Sequence, residues 1–244
     1  MKPLLQVEGI SISYVGHEVI QITHLTIDKG EIVGIVGANG AGKSTLVNAI
    51  AGWSRSAPRV KAQIHFAGAD ISALPAHERA RRGLLLVPES KLVYSTLSVR
   101  DNLAPPTFSV DAGRKARFYT RDDVYRLFPR LKERQSHLGS QLSGGERQML
   151  GIGRALMLGP QLLIVDEPSI GLSPLLTQQV LQTMRALADD GLAILVAEQN
   201  VRAAVQVVDR LIVLERGAIV LEGPTATLCS DPRVAQAYLG GHAQ

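Results

Sequence analysis

The run Gly37-Ala-Asn39-Gly40-Ala-Gly42-Lys43-Ser44-Thr45 sets three glycines ahead of a lysine and two hydroxyls. Glycines let successive backbone N–H groups turn inward around an anion, and a helix starting behind them adds partial positive charge. A lysine there reaches terminal phosphates, and the first hydroxyl can ligate a divalent cation such as Mg²⁺. The run fits the phosphate-loop pattern, with Lys43 and Ser44 in those two roles. A second group, Asp166-Glu167, closes the apolar run Leu162-Leu-Ile-Val165. Carboxylates at the C-terminal end of a strand in a parallel sheet face the ligand crevice. Asp166 is then placed to hold the metal shell and Glu167 to polarise an attacking water, as phosphoryl transfer to water requires. An acidic strand end alone is an ordinary surface feature, so it is the upstream phosphate loop that makes the chemical reading prevail.

These groups need a strand before the loop, a helix after it and a parallel sheet that brings 37–45 and 166–167 together. The pattern supplies them. Leu4–Ser11, Glu18–Ile27 with a break, Glu31–Val36 and Val60–Phe66 read as short strands, and Val60–Phe66 alternates with period two. They imply an antiparallel β element at the N-terminal end. From Leu84 onward, apolar runs at Leu84–Val87, Leu162–Val165, Ala193–Ala197 and Leu211–Leu214 alternate with helical patterns. That alternation marks a parallel sheet covered on both faces. Ser173-Pro174 starts one helix and Gly191 ends it. Between 90 and 157 the pattern is helical without strands; Ser98…Asp101 and Thr120…Asp123 resemble capping boxes. Turns fall at Pro105-Pro106 and Asp111–Gly113. The expected organisation is one domain over 1–244, with a sheet lobe at 1–89 and 158–244 and a helical lobe at 90–157.

Bulk composition is consistent with this. The chain has 244 residues, 45% of them hydrophobic, enough for a large core. An apolar run such as Leu84–Pro88 is strand-sized, far short of the roughly 20 residues that span a bilayer. The N-terminus lacks the apolar stretch and cleavage site of a signal peptide, and Cys229 has no second cysteine to pair with, so a reducing cytoplasm is expected. Lys and Arg exceed Asp and Glu by 26 to 22, a net +4 that reads as solubilising charge, with no nucleic-acid partner expected. No internal repeat is found, so each motif occurs once.

One further run decides among phosphate-loop proteins. Leu142-Ser143-Gly144-Gly145-Glu146-Arg147-Gln148 resembles the signature motif of ABC-transporter nucleotide-binding subunits, and the motifs together cover essentially the whole chain. Physically it repeats the first loop: Ser143 is a helix-cap residue, and Gly144 and Gly145 allow exposed N–H groups to approach a phosphate. The resemblance implies a P-loop NTPase-type α/β fold: a mostly parallel sheet flanked by helices, an N-terminal antiparallel β element and an inserted helical lobe. It implies ATP and Mg²⁺ as ligands, and hydrolysis of the one with the help of the other. Tyr14 is similar to the family's aromatic residue that stacks on adenine. Glu89 stands where the family places a glutamine that senses metal and the lytic water. Gln199 stands where it places a histidine that contacts the γ-phosphate, and Ser173 where many relatives carry aspartate. A carboxylate at 89 still binds metal or water but brings negative charge toward a triphosphate; the amide of Gln199 hydrogen-bonds phosphate without acting as an imidazole.

The combination Val-Pro-Glu89-Ser, Gly-Leu-Ser173-Pro and Ala-Glu-Gln199-Asn, with the ending Leu-Glu-Gly-Pro-Thr and Tyr-Leu-Gly-Gly, is similar to the second ATPase of branched-chain amino acid importers. Subunits serving urea or short amides look similar. The resemblance implies a peripheral protein on the cytoplasmic face of the plasma membrane. Its implied partners are a second ATPase subunit in a homo- or heterodimer, membrane permeases and, indirectly, an extracytoplasmic substrate-binding protein. In the family's arrangement two subunits pair head to tail, each ATP lying between one phosphate loop and the partner's Ser-Gly-Gly. Leu92, Val93 and Tyr94 are candidates for the permease groove, with packing in the helical lobe an equal reading. Other classes remain: a soluble ABC-type ATPase of repair or translation, though no second cassette or long coiled coil is present; an ATP-responsive binding module, against which Glu167 argues; and a small GTPase, against which the lack of an Asn-Lys-x-Asp run argues.

Overall fold

The computed structural model describes residues 2–54, 57–90, 93–105, 117–229, 231 and 234. Strands β1 (Leu5–Tyr14), β2 (His17–Ile27), β4 (Arg59–Phe66) and β5 (Ala69–Asp70) form an antiparallel sheet in the order β2-β1-β4-β5. A second sheet has the order β10-β9-β3-β8-β7-β6, built from β3 (Ile32–Val36), β6 (Leu84–Val87), β7 (Leu162–Asp166), β8 (Ala193–Glu198), β9 (Arg210–Glu215) and β10 (Ala218–Pro224). Its five strands from β9 to β6 are parallel and only β10 runs antiparallel. This is the α/β architecture expected from the alternating apolar runs.

Side chains along the central strands alternate between two cores. Leu163, Val165, Ile194 and Val196 face one cluster, with α6 (Gly144–Met157) and α7 (Pro174–Asp189). Leu162, Ile164, Leu195 and Ala197 face the other, with α1 (Lys43–Ile50) and the antiparallel sheet. Every residue of β3, β7 and β8 is buried, which is why those strands read as unbroken apolar runs. Between 93 and 157 the described residues form helices and no strand beyond one antiparallel bridge, Ser98 to Leu138: α3 (Val99–Asn102), α4 (Arg121–Leu127), α5 (Pro129–Glu133), a 3₁₀ turn at Gly139–Gln141, and α6. Val99, Leu103, Val124, Phe128 and Leu131 join the same core as Leu163 and Ile194, so the helical segment packs on one sheet face.

The caps largely follow the sequence. Thr120 and Asp123 form the reciprocal box, as do Ser143 and Glu146, and Ser173 Oγ accepts from Leu176 N. Such caps are worth about 1 kcal/mol each. At α7's far end Gly191 N donates to Ala188 O and Leu192 N to Leu187 O, with Gly191 at φ 96°, a Schellman closure. Ser98 makes half of its box: its Oγ accepts from Asp101 N and donates to the Asp101 carboxylate, as Thr120 does with Asp123, but the reciprocal bond from the cap's own N–H, made at Thr120, is not formed. β2 runs as one strand, and its irregularity is a bulge: Val19 lies unpaired between the pairs Ile12–Ile20 and Ser13–Glu18. β5 and β10 were not expected. Arg216 and Gly217, both left-handed at φ 47° and 81°, make the tight β9–β10 turn without the Asn-Gly or Asp-Gly that announces one. The turns at Pro106 and Asp111–Gly113, and the 235–244 part of the chain's ending, lie outside the described residues.

Candidate functional site

β3 delivers the chain to a loop that only glycine fits. A Cβ at Gly37 would lie 2.3 Å from Leu214 O, and one at Gly42 would lie 2.4 Å from Ile20 Cδ1 with φ at 105°. The β9–β10 turn braces this loop from outside, Gly217 N donating to Ala41 O at 2.9 Å. α1 begins at Lys43 with no side-chain cap and no acidic residue in its first turn, which leaves its N-terminal N–H groups uncovered by side chains. Lys43 is 4% exposed; its Nζ donates to Gly37 O at 2.9 Å and Ala38 O at 3.3 Å and pairs with Glu167 Oε1 at 3.0 Å.

β7 ends beside α1, so that Ser44 Oγ donates to Asp166 Oδ1 at 3.0 Å. Asp166 is 3% exposed, and burial raises its pKa to about 6; the Ser44 bond opposes the shift, while Glu167 and Glu89 add to it. A carboxylate so deprived of water calls for a cation, and a hydroxyl and a carboxylate are hard oxygen donors of the kind Mg²⁺ takes with phosphate oxygens and water. Among the described residues no group of three or more His, Cys, Asp or Glu could hold a metal alone. The donor set therefore fits a metal that arrives with a phosphate ligand.

Glu167 has a left-handed backbone, φ 48°. Its N–H donates to Ala197 O at 2.8 Å, and its Oε2 accepts from Gln199 N at 3.1 Å. The expected partner of the phosphate at 199 thus meets Glu167 through its backbone, while its side chain is exposed. Asn39, Gly40, Gly42, Lys43, Ser44, Thr45, Glu89 and Glu167 line one cavity of about 300 Å³. Tyr14 lines a neighbouring cavity of about 160 Å³ with Asn48, Trp53 and Asp166, sharing Ser44, Thr45 and Glu89 with the first.

The Ser143–Gly145 loop is elsewhere. Ser143 lines a separate groove between α4–α6 and α7, and Ser143 and Gly144 are exposed. A Cβ at Gly145 would lie 2.8 Å from Leu176 Cδ1, so packing accounts for that glycine; Gly144 has nothing closer than 3.8 Å. Glu146 accepts from Ser143 N and is held by Arg130 at 3.3 Å and Arg134 at 3.6 Å. Of the groove candidates, Leu92 lies outside the described residues and Val93 packs against the core. Tyr94 is 58% exposed, its ring 4.2 Å from the Arg154 guanidinium carbon.

Sequence reasoning passed over Glu198. It ends β8 as Asp166 ends β7, a lone carboxylate closing an apolar run, and that parallel was available as a signal. It is 0% exposed and accepts from Ser169 N at 2.9 Å and Asn200 N at 2.8 Å.

A family model described as ABC transporter matches residues 20–170. The high-affinity branched-chain amino acid transport ATP-binding protein BraG of Pseudomonas aeruginosa is 40% identical over 239 residues, covering 98% of this chain and 100% of that protein. The lipopolysaccharide export system ATP-binding protein LptB of Escherichia coli is 33% identical over 237 residues, 97% of each. In fold, the crystal structure of a nucleotide-free ATP-binding cassette from an ABC transporter superposes with a TM-score of 0.80 at 23% identity, over 97% of this chain and 99% of that one. An ATP-binding subunit of an ABC transporter superposes with a TM-score of 0.76 at 27% identity, over 97% and 98%.

Proposed function

The chain belongs to the ABC transporter family and is an ATP-hydrolysing subunit of it, and on that premise we propose that it drives the import of branched-chain amino acids. The observation that carries this reading is the 40% identity to BraG along essentially the full length of both chains. The export reading suggested by LptB stands at 33%. The motif variants at Glu89, Ser173 and Gln199 support the same choice; urea or short amides are the neighbouring cargo classes.

In this reading Lys43 and the N–H groups of 37–45 hold the phosphates, with Tyr14 against the adenine. Ser44 and Asp166 would hold Mg²⁺, with Glu89 near its water shell. Bound there, Mg²⁺ would neutralise phosphate charge. Glu167 accepts the proton of the attacking water, and Gln199 orients the Glu167 carboxylate through its N–H and offers its amide to the γ-phosphate. Lys43 must release Glu167 Oε1 when it turns to the phosphates, which frees that oxygen to act as base. Ser143, Gly144 and Gly145 complete the site of a second ATPase subunit, since Ser143 and Gly144 are exposed and none of the three lines the chain's own Lys43 cavity.

The sheet lobe, 1–89 and 158–244, then carries the nucleotide, and the helical lobe, 90–157, carries the complementing loop. Tyr94, Leu97 and Leu138 remain exposed on the helical segment as a contact for membrane permeases, with an extracytoplasmic binding protein acting beyond them. No described helix is long and apolar enough to cross a membrane, so attachment at the cytoplasmic face would come through those permeases. Deleting the coding gene in its host tests the cargo: uptake of labelled leucine, isoleucine and valine should fall while urea and acetamide uptake hold. Unchanged amino acid uptake refutes the assignment.

A further inference from the structure

The residues that flank Glu167 and Gln199 in space are tied together by a group with no role so far. We propose that Glu198 is a positioning residue for hydrolysis: its buried carboxylate pins the loop after Glu167 to the turn that carries Gln199, and so holds the Glu167 carboxylate in place.

Glu198 Oε1 accepts from Ser169 N at 2.9 Å and Oε2 from Asn200 N at 2.8 Å. One side chain therefore bridges two segments about 30 residues apart, landing two residues beyond Glu167 and one beyond Gln199. The Ser169 hydroxyl joins the same carboxylate. Glu167 needs such a brace. At φ 48° it occupies the left-handed region, where a residue with a Cβ persists only if its surroundings over-determine it. Ala197 O grips the loop at Glu167 N, and Glu198 grips it two residues later. Both grips come from the end of β8, which parallel pairing fixes between β3 and β7, Val36 opposite Glu198 and Asp166 opposite Ala197.

A carboxylate is the group this work needs. It offers two acceptor oxygens to donors on opposite sides, whereas an amide offers one oxygen and would set its NH₂ against an N–H. Burial raises the Glu198 pKa, and the bonds from Ser169 and Asn200 oppose that rise. An apolar residue would suit a fully buried strand end better, unless the two N–H groups must be held.

The inference rests on Glu167 being the base, so the experiment runs Glu167→Gln beside Glu198→Gln and the wild type. Steady-state kcat and KM for Mg-ATP are measured together with the equilibrium affinity for a fluorescent ATP analogue and the melting temperature. Because a displacement near 1 Å of a reacting group can cost up to about a hundredfold, Glu198→Gln should lower kcat about tenfold or more. KM and nucleotide affinity should stay near wild type, since the Glu198 carboxylate bonds Ser169 and Asn200 rather than 37–45 or Lys43; the melting temperature reads the cost of setting the amide NH₂ against an N–H. Ser169→Ala removes only the hydroxyl contact and should give a smaller loss, again in kcat alone; it also reports should Glu198→Gln fail to fold. An unchanged kcat in both variants, or a loss that tracks nucleotide affinity or folded fraction, overturns the proposal. If Glu167→Gln itself turns over like the wild type, the base assignment is what fails.

Discussion

Asp166 sits on an unfavourable balance that its ligand would relieve. Folding buries it and raises its pKa from 3.8 to about 6. Below about pH 3 both the folded and unfolded chains carry the proton, and the residue costs nothing. As pH rises toward 6 the unfolded chain releases its proton first, so the folded state loses stability across that window. A shift of this size corresponds to on the order of 3 kcal/mol by pH 7. Asp166→Asn keeps an acceptor for Ser44 and removes the charge. Denaturant melts without nucleotide or divalent metal should show the variant's stability relative to wild type improving by about 2 kcal/mol between pH 4.5 and 7.5. A difference that stays constant with pH would show that Asp166 is not strained by burial. Lys43 and Glu167 make the complementary case, each satisfied by the other until a phosphate competes for the lysine.

At the scale of elements, the helix behind the phosphate loop is anchored at its far end by Arg79 on α2 (Ala76–Arg81). The guanidinium is 4% exposed and donates to Ala49 O, Ile50 O, Leu74 O and Ser72 O. Two of those are terminal carbonyls of α1, where a cation also meets the negative end of the helix dipole. Burial lowers the Arg79 pKa, yet arginine stays charged throughout the accessible range. Arg79→Met should destabilise the fold by about 3 kcal/mol, read by chemical denaturation, because four backbone acceptors, two of them buried, lose one donor group. A change under about 1 kcal/mol would mean that water replaces the guanidinium at little cost.

None of that was legible beforehand, and the reason is physical. The phosphate loop, the carboxylates after β7 and the cap of α7 are local patterns, each settled by neighbours in the chain. Arg79 reaching Ala49, and Glu198 reaching Ser169, are meetings arranged by the sheet, and no window of sequence contains both partners. β10 escaped for a different reason: as an edge strand it alternates in exposure, and its turn uses Arg216 at a left-handed position. Tyr14 was placed by analogy with a base-stacking residue, and the fold sets it in a cavity adjoining the phosphate loop.

Over the whole molecule, the sheet separates two cores, and the exposed Ser143 and Gly144 take no part in lining the Lys43 cavity. With one copy of each loop, a chain that hydrolyses ATP at a sandwiched site must borrow the second from a partner. The central claim is that Glu167 drives this hydrolysis, and Mg-ATP turnover by the purified wild type and its Glu167→Gln form, with solution mass measured with and without ATP, tests it most directly. The account predicts that turnover falls at least about a hundredfold in the variant. It also predicts that the variant retains ATP and that ATP raises its mass to that of a dimer. Equal turnover in both forms, with no association, would contradict it.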